Sequence, residues 1–224
     1  MDKVKLTPRL LAAARLVGES RFTVDVGTDH GHLAVWLLQN EKAARVAATD
    51  IRPGPLSSAR ATAEEYGLED AIRFELCDGL DFPGAEEADT VVIAGMGGET
   101  IEGILRRAPW TLSGTHLVLQ PQTKVDELCV WLRVTGYAID NAVLAAEGER
   151  LYVIISARAG NKGALFAEDA LAAAGDPLLQ RWLDARIASV QRAIDGIESS
   201  EKKRRDTFEL RQTLKRLLEL RKEP

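Results

Sequence analysis

The chain has 224 residues, of which 46% are apolar, and its formal net charge is −5. This length and composition exclude a disordered chain and allow one sizeable core with an appendage, while no apolar run approaches the ~20 residues of a membrane span. Two cysteines are too few for a disulfide framework and the chain opens without a signal-peptide pattern, so we expect a cytoplasmic protein with reduced thiols.

Residues 1–159 show alternating strand and helix patterns. A first helix is predicted with Thr7 as its N-cap and Pro8 at its first position. Apolar strands separated by helices then indicate a parallel sheet covered on both faces, and two final strands with only a short connection indicate an antiparallel hairpin at its end. The predicted strands are residues 22–26, 44–50, 72–76, 89–95, 115–120, 137–145 and 150–157.

Residues 160–224 predict a different unit. An alanine-rich connector leads to Asp176, which is suited to cap a helix that begins at Pro177. Apolar residues then recur at spacings of 3 and 4, stop at a polar stretch and resume, so that the two series mirror each other about residue 202. We therefore predict an antiparallel helical hairpin that turns within residues 199–205. The two series are Leu183, Ile187, Val190, Ile194 and Ile197, then Leu210, Leu214 and Leu217.

The distribution of charge also separates this hairpin from the rest of the chain. Residues 178–224 contain 12 Lys and Arg against 8 Asp and Glu, a local charge of +4. The preceding 177 residues contain 17 basic and 26 acidic residues, a charge of −9. The hairpin is thus a candidate arm for gripping nucleic acid, and a solvated charged helix pair is the alternative.

Polar and glycine residues follow four of the predicted parallel strands. In a doubly wound sheet, ligands bind beyond the carboxyl ends of the strands, near the reversal in strand order. The loops at 25–31, 49–53, 77–79 and 94–98 therefore form the predicted site. Asp50 occupies the position from which an acid commonly reaches ribose hydroxyls.

The first of these loops, in "VDVGTDHGHL", argues against a dinucleotide ligand. A nicotinamide dehydrogenase would have G-x-G-x-x-G here, whereas Thr, Asp and His separate Gly27 from Gly31. The Asp29 carboxylate would repel a pyrophosphate but would favour a ligand that carries a sulfonium and an ammonium group. We therefore predict a cationic cofactor, S-adenosylmethionine.

The segments "VDVGTDHGHL", "IAGMGGETI" and "LQPQ", with the helical hairpin, resemble the bacterial TrmK-type tRNA adenine-N1 methyltransferases over nearly the whole chain. The resemblance implies a Rossmann-like class I methyltransferase domain at residues 1–159 and a tRNA-binding arm at residues 160–224. It also implies S-adenosylmethionine as methyl donor and N1 of the adenine at position 22 of tRNA as target. The family often has Ser where Thr28 stands and Asn where Gln122 stands.

The resemblance assigns residues to the cofactor site. The implied cofactor residues are Asp25, Gly27, Thr28, Asp29, His30, Gly31, Asp50, Ile51, Asp78, Gly79, Ala94, Gly95 and Met96. The predicted RNA contacts are Arg9, Gln120, Pro121, Gln122, Lys202, Lys203, Arg204, Arg205, Arg211 and Lys215.

The expected reaction gives Asp29 a possible catalytic role. N1 of neutral adenine already has a lone pair, so no base is needed before attack, and positive charge moves from sulfur to the adenine ring. Asp29 is predicted either to stabilise that charge or to accept a proton from the N6 amino group. The alternative is that Asp29 only binds the ammonium group of the cofactor.

Two other functions fit parts of the pattern, a non-catalytic RNA-binding protein that retains the fold and a small-molecule N-methyltransferase. The intact cofactor loops argue against the first, and the basic hairpin argues against the second. His30 and His32 have a metal-like spacing without a third ligand, so we expect no metal. We also expect no membrane partner, and a monomer or weak dimer.

Overall fold

A computed structural model describes residues 3–199 and 207–222 of the chain. Strands and helices alternate through most of it, and three helices follow the last strand. The elements in chain order are α1 Pro8–Leu16, β1 Ser20–Val26, α2 His32–Gln39, β2 Ala43–Asp50, α3 Pro53–Glu65, β3 Ile72–Leu76, β4 Thr90–Met96, α4 Gly98–Arg107, β5 His116–Pro121, α5 Val125–Thr135, β6 Tyr137–Glu147, β7 Arg150–Ala159, α6 Ala167–Ala174, α7 Leu179–Glu198 and α8 Phe208–Lys222. Short 3₁₀ helices also occur at Ala85–Glu87 and Pro109–Ser113.

The seven strands form one sheet in the order β3-β2-β1-β4-β5-β7-β6. Strands β1 to β5 are parallel to one another, whereas β7 is antiparallel to both β5 and β6. The strand order reverses between β1 and β4, so the connections after these strands leave a crevice at their carboxyl ends. The predicted parallel sheet with a terminal antiparallel hairpin is confirmed.

Alternate strand residues pack against helices on opposite faces of the sheet. Val92 and Val118 belong to a buried cluster with residues of α1, α2 and α3. Val91 and Leu119 belong to another cluster with residues of α4, α5 and α6. Because both faces are covered, the central strands are apolar along almost their whole length.

Helix α1 begins where the sequence predicts. Thr7 is its N-cap, with its hydroxyl accepting a hydrogen bond from the Leu10 amide at 3.4 Å, and Pro8 is its first residue. A carboxylate oxygen of Glu147, at the end of β6, accepts a hydrogen bond from the Arg9 amide at 3.0 Å. Since β6 runs in the same direction as β5, this contact fixes the first turn of α1 beside the carboxyl edge of the sheet.

The alanine-rich connector after β7 contains a helix that the sequence did not predict. This segment forms α6, which packs on β6 and contributes Ala167 and Leu171 to the main core. The predicted start of the next helix at Pro177 is wrong, because α7 begins at Leu179. The carboxylate of Asp176 instead accepts hydrogen bonds at 2.8 Å from the amides of Leu178 and Leu144, which holds the turn against β6.

Helices α7 and α8 form an antiparallel pair. Asp184, near the start of α7, is 3.3 Å from Arg221 near the end of α8, and Glu198 pairs with Arg211 at the other end. Ile194 and Leu217 of the predicted apolar series are buried. The predicted turn at residues 199–205 lies, except for Ser199, outside the described residues. The division at residue 159 stays a prediction.

Candidate active site

A cleft of about 420 Å³ lies at the carboxyl ends of β1, β2 and β4, where the strand order reverses. Nine of the predicted cofactor residues line it. They are Asp25, Gly27, Thr28, Asp29, His30, Asp50, Ala94, Gly95 and Met96. The predicted RNA contacts Arg9 and Gln122 also line the cleft, as do four residues that sequence reasoning missed. These are Leu10, His32, Leu33 and Arg52.

Left-handed backbone conformations shape the loop after β1. Gly27, Asp29 and Gly31 have φ angles of 73°, 53° and 70°. A Cβ at Gly31 would lie 2.9 Å from the Cα of Ala59, so this glycine allows α2 and α3 to approach each other and lies outside the cleft. Aspartate is among the few non-glycine residues that adopt this conformation readily. Gly31 therefore supports the loop, whereas Gly27 leaves room in the cleft.

Two acids, one at the end of β1 and one in the loop that follows, have different surroundings. Asp25 is buried, and one carboxylate oxygen accepts a hydrogen bond from the Thr28 hydroxyl at 2.7 Å. Burial raises the pKa of Asp25 to about 6; the Thr28 hydrogen bond lowers it and the charge of Asp50 adds to the rise. Asp29 is 70% exposed at the rim, with His30 at 3.8 Å. Asp25 thus lies at the floor of the cleft and Asp29 at its opening.

Asp50 ends β2 with a nearly buried side chain. Its Oδ1 accepts a hydrogen bond from the Arg52 amide at 2.9 Å and lies 3.7 Å from the Arg52 guanidinium. Its Oδ2 has no hydrogen-bond partner within residues 3–199 and 207–222. One oxygen thus fixes the carboxylate while the other is available to a ligand that donates hydroxyl groups.

The three glycines of "AGMGG" have different surroundings. Gly95 lies in a β-bulge, where the register between β4 and β5 shifts, and has a φ of 83°. Its position beside the side chains of Arg9 and Gln122 places it in the cleft. Gly97 and Gly98 instead lie against residues 123–124, between β5 and α5. Of these three glycines, only Gly95 therefore lines the cleft.

The remaining predicted cofactor residues do not line this cleft. Ile51 is 65% exposed beside it, and the Gly79 carbonyl accepts a hydrogen bond from the Thr49 hydroxyl at 2.9 Å. Asp78 forms an ion pair with Arg107 of α4 at 2.8 Å and lines a separate cavity of about 290 Å³. A role of Asp78 toward an adenine amino group stays a prediction, and Arg107 would compete for the same carboxylate.

Apart from Arg9 and Gln122, which line the cleft, the predicted RNA contacts fall into three groups. Gln120 and Pro121 are buried, and Gln120 is 0% exposed, so neither side chain faces the solvent. Arg211 and Lys215 lie exposed on α8, paired with Glu198 and with Glu219 at 4.0 Å. The four basic residues of "KKRR" lie outside the described residues. They are Lys202, Lys203, Arg204 and Arg205.

A cluster of four charges attaches the hairpin to the sheet domain. Arg186 of α7 is 2.7 Å from Asp126 of α5 and 3.5 Å from Glu168 of α6. Arg216 of α8 contacts the same two acids at 3.4 and 3.3 Å. Glu168 is fully buried, and burial raises the pKa of Asp126 although both arginines lower it. Because α5 follows β5 directly, this cluster lies toward the edge of the sheet that carries the cleft.

Neither a metal centre nor a membrane span occurs within the described ranges. No group of three or more His, Cys, Asp and Glu side chains there is placed to hold a metal ion, and the His30 and His32 rings stack with centroids 5.8 Å apart. No helix in this part of the chain is long and apolar enough to cross a membrane.

Comparison with known proteins gives the family. A family model described as a methyltransferase domain matches residues 6–155. The tRNA (adenine(22)-N(1))-methyltransferase of Bacillus subtilis is 34% identical over 167 residues, which cover 74% of this chain and 70% of the relative. The crystal structure of the B. subtilis M1A22 tRNA methyltransferase TrmK has a TM-score of 0.80 at 27% identity, covering 98% of each chain. The chain belongs to the TrmK-type methyltransferase family.

A second solved structure agrees with the TrmK-type assignment. A Streptococcus pneumoniae protein, crystallised in complex with S-adenosyl-L-methionine, has a TM-score of 0.82 at 25% identity, covering 97% of this chain and all of that one (100%). Because these likenesses extend over nearly the whole chain, the TrmK-type neighbours also share the helices that follow β7. The predicted family and fold are confirmed, whereas the assignment of individual site residues stays a prediction.

Proposed function

We propose that this chain is an S-adenosylmethionine-dependent methyltransferase that methylates N1 of an adenine in tRNA, at position 22 as in its B. subtilis relative. The observation that carries the proposal is the acid-lined, glycine-bearing cleft at the strand-order reversal of a TrmK-type fold. The complex of the S. pneumoniae protein with S-adenosyl-L-methionine supports the choice of methyl donor.

The residues of the cleft fit this donor. Positive φ angles at Gly27 and Gly95 allow the backbone to approach a ligand closely on two sides. Asp25 supplies negative charge for the ammonium and sulfonium groups, and the free oxygen of Asp50 suits ribose hydroxyls. When bound, the donor supplies a methyl group on a positively charged sulfur.

Orientation is the main catalytic contribution that we assign to the protein. The acceptor nitrogen must lie in line with the methyl carbon and sulfur, and such alignment lowers barriers by up to roughly 7–11 kcal/mol in favourable cases. We place the adenine at the open side of the cleft, beside Asp29 and Gln122. There Asp29 accepts a hydrogen bond from the N6 amino group and stabilises the charge that develops on the ring.

The C-terminal hairpin is the proposed RNA-binding arm. N1 of a paired adenine faces its pairing partner, so the enzyme must expose that edge before transfer. Exposed cations on α8, such as Arg211 and Lys215, are suited to hold the phosphate backbone of the folded RNA. The four charges that bind the hairpin to α5 and α6 support a fixed position of this arm relative to the cleft.

Methyl transfer to unmodified tRNA tests the proposed function. The protein is incubated with donor labelled in its methyl group, and the modified base is identified by nuclease digestion and mass spectrometry. We expect N1-methyladenosine at one position. Donor binding without transfer to any tRNA would favour a non-catalytic RNA-binding protein, and transfer only to free metabolites would favour a small-molecule enzyme.

Donor affinity is expected to rise roughly tenfold between about pH 5 and about pH 7. Burial raises the pKa of Asp25 to about 6. A cationic donor favours the ionised carboxylate, so binding lowers that pKa and is weak where Asp25 is protonated. Calorimetric titration of the protein with donor across this range measures the effect.

Two variants control for other titrating groups. Thr28→Val removes the hydrogen bond that lowers the pKa of Asp25, so the midpoint should move to higher pH. Asp25→Asn should bind donor weakly at every pH and lose the dependence. An unchanged midpoint in Asp25→Asn would assign the effect to another group of the cleft.

Replacing both Arg211 and Lys215 with alanine is expected to weaken tRNA binding about 3- to 30-fold at low salt. The slope of log affinity against log salt concentration should become shallower by about 1 for each lost phosphate contact. Filter binding at several salt concentrations measures both. Arg21→Ala, an exposed arginine at the amino edge of the sheet, is the matched control and should leave the slope unchanged. A double variant that behaves like this control would remove α8 from the proposed interface.

A further inference from the structure

Arg9 is a cation of the cleft whose guanidinium forms no ion pair with a carboxylate within residues 3–199 and 207–222. It donates a hydrogen bond from Nη1 to the Gln120 side-chain oxygen at 2.8 Å, and its guanidinium carbon lies 5.5 Å from the centre of the Tyr152 ring. The nearby Glu147 carboxylate accepts a hydrogen bond from the Arg9 amide instead. The positive charge is thus held in place by a neutral amide and an aromatic ring.

The Gln120 side chain, which accepts this hydrogen bond from Arg9, is itself fixed by further hydrogen bonds. Its oxygen also accepts a hydrogen bond from the Gly95 amide at 3.1 Å, which the β-bulge has removed from the regular ladder. Its amide nitrogen donates to the Pro121 carbonyl at 3.0 Å, and its side chain is 0% exposed. A buried amide with these partners has one fixed orientation, so it fixes the guanidinium above the bulge.

Arg52, the other arginine that lines the cleft, lies close to a carboxylate, unlike Arg9. Arg52 lies 3.7 Å from Asp50, so its charge is already balanced by a carboxylate. Arg9 instead has donor groups beyond Nη1 with no partner in the part of the chain that the structure describes. An arginine of this kind is suited to bind an anionic oxygen of a ligand.

We propose that Arg9, held by Gln120, binds the α-carboxylate of the methyl donor, and that Gln120 is a positioning residue for this contact. This inference depends on the proposed function. The methionine end of the donor is a zwitterion, and the Asp25 carboxylate accounts only for its positive groups. The cleft then offers the Arg9 guanidinium beside Gly95 for the carboxylate and Asp25 at the end of β1 for the ammonium group. The expected contact of Arg9 with RNA is replaced by this assignment.

Donor binding in the absence of RNA tests the assignment. Affinities for S-adenosylmethionine and for decarboxylated S-adenosylmethionine, which lacks only the carboxylate, are measured by calorimetry on each variant. A charge-assisted contact of this kind predicts that Arg9→Met lowers the wild-type preference for the intact donor by about 10- to 100-fold. Arg15→Met, an exposed arginine of the same helix, should retain the preference.

A second variant tests Gln120 without changing its size. Gln120→Glu places a carboxylate beside Arg9, so that the guanidinium forms an ion pair within the protein. This variant should lose most of the preference for S-adenosylmethionine over its decarboxylated form. Thermal unfolding of each variant shows whether it is folded. If Gln120 only stabilises the bulge, the ratio of the two affinities should stay at the wild-type value, because a structural role weakens both ligands alike.

The outcomes separate this inference from the proposed function. Wild-type protein that binds S-adenosylmethionine and methylates tRNA, with a preference unchanged in Arg9→Met, would overturn the carboxylate contact alone. Arg9→Met that weakens only tRNA binding would likewise overturn it, because the anion would then be an RNA phosphate. Wild-type protein that binds neither donor would overturn both proposals.

Discussion

Asp29→Asn is expected to lower turnover by about 100-fold or more while changing donor affinity by no more than about threefold. Asp29 is 70% exposed at the rim of the cleft, outside the buried floor where Asp25 lies. We assign it to the adenine side, where an acceptor for the N6 amino group stabilises the transition state more than bound donor. Single-turnover methylation of tRNA and calorimetric titration with donor measure the two quantities.

Asparagine is a matched replacement at this position. It keeps the size of the side chain and, like aspartate, tolerates the φ of 53° that the loop requires. The change therefore removes charge with little effect on the loop. Asp25→Asn is the contrasting variant and should weaken donor binding. Equal losses of turnover and donor affinity in Asp29→Asn would instead show that Asp29 only binds the ammonium group.

Gly98→Ala is expected to lower the free energy of unfolding by about 1–3 kcal/mol. A Cβ at this first residue of α4 would lie 2.5 Å from the Lys124 carbonyl oxygen and 2.9 Å from that of Thr123. Backbone atoms cannot rotate away as a side chain can, so α4 and the segment between β5 and α5 must separate. For a chain of this size the melting temperature should fall by roughly 3–10 °C.

Gly97→Ala is the control for this prediction within the same motif. Among the described residues its Cβ would meet only the Thr123 hydroxyl, at 3.0 Å, and its φ of −67° suits any residue. We expect the free energy of unfolding to fall by less in this variant, because the Thr123 side chain can change rotamer. Chemical denaturation of both variants gives the comparison. If Gly98→Ala is as stable as Gly97→Ala, packing against residues 123–124 is not the reason that glycine occupies position 98.

The sheet could be predicted because its signals are local. Apolar runs gave the strands, and Thr7 with Pro8 gave the start of α1 correctly. The short connection between β6 and β7 indicated a hairpin, and the structure contains one. The mirrored apolar series likewise indicated antiparallel helices, which the pairs Asp184–Arg221 and Glu198–Arg211 confirm.

Elements that depend on distant contacts could not be predicted in the same way. Helix α6 is short, and its apolar side consists mostly of alanine, so its helical form depends on packing against β6. The start of α7 was misplaced because Asp176 satisfies the Leu144 amide as well as its own turn. No pattern in the sequence around Asp176 indicates that partner.

The residues of the site also divide into those with local sequence signals and those that depend on distant contacts. Three of the four loops predicted to form the site line one cleft, because the carboxyl ends of parallel strands share an edge, whereas Asp78 of the fourth loop lines a separate cavity. Pairing between side chains was not predictable, since Gln120 meets Arg9 across 111 positions of sequence. The pair Asp78–Arg107 was missed for the same reason, although an arginine at the end of α4 is visible in the sequence.

The attachment of the hairpin has a consequence for how an RNA is chosen. Arg186 and Arg216 secure both helices to Asp126 and Glu168, and α7 extends about 18 Å from Arg186 to Glu198. Under the proposal that this hairpin binds tRNA, we expect the four charges to hold it at a set distance from the cleft. A substrate would then have to span that distance between the adenine and the phosphate backbone at the hairpin. On this proposal the enzyme selects the three-dimensional shape of the RNA, and a short fragment that carries the same adenine should be a poor substrate.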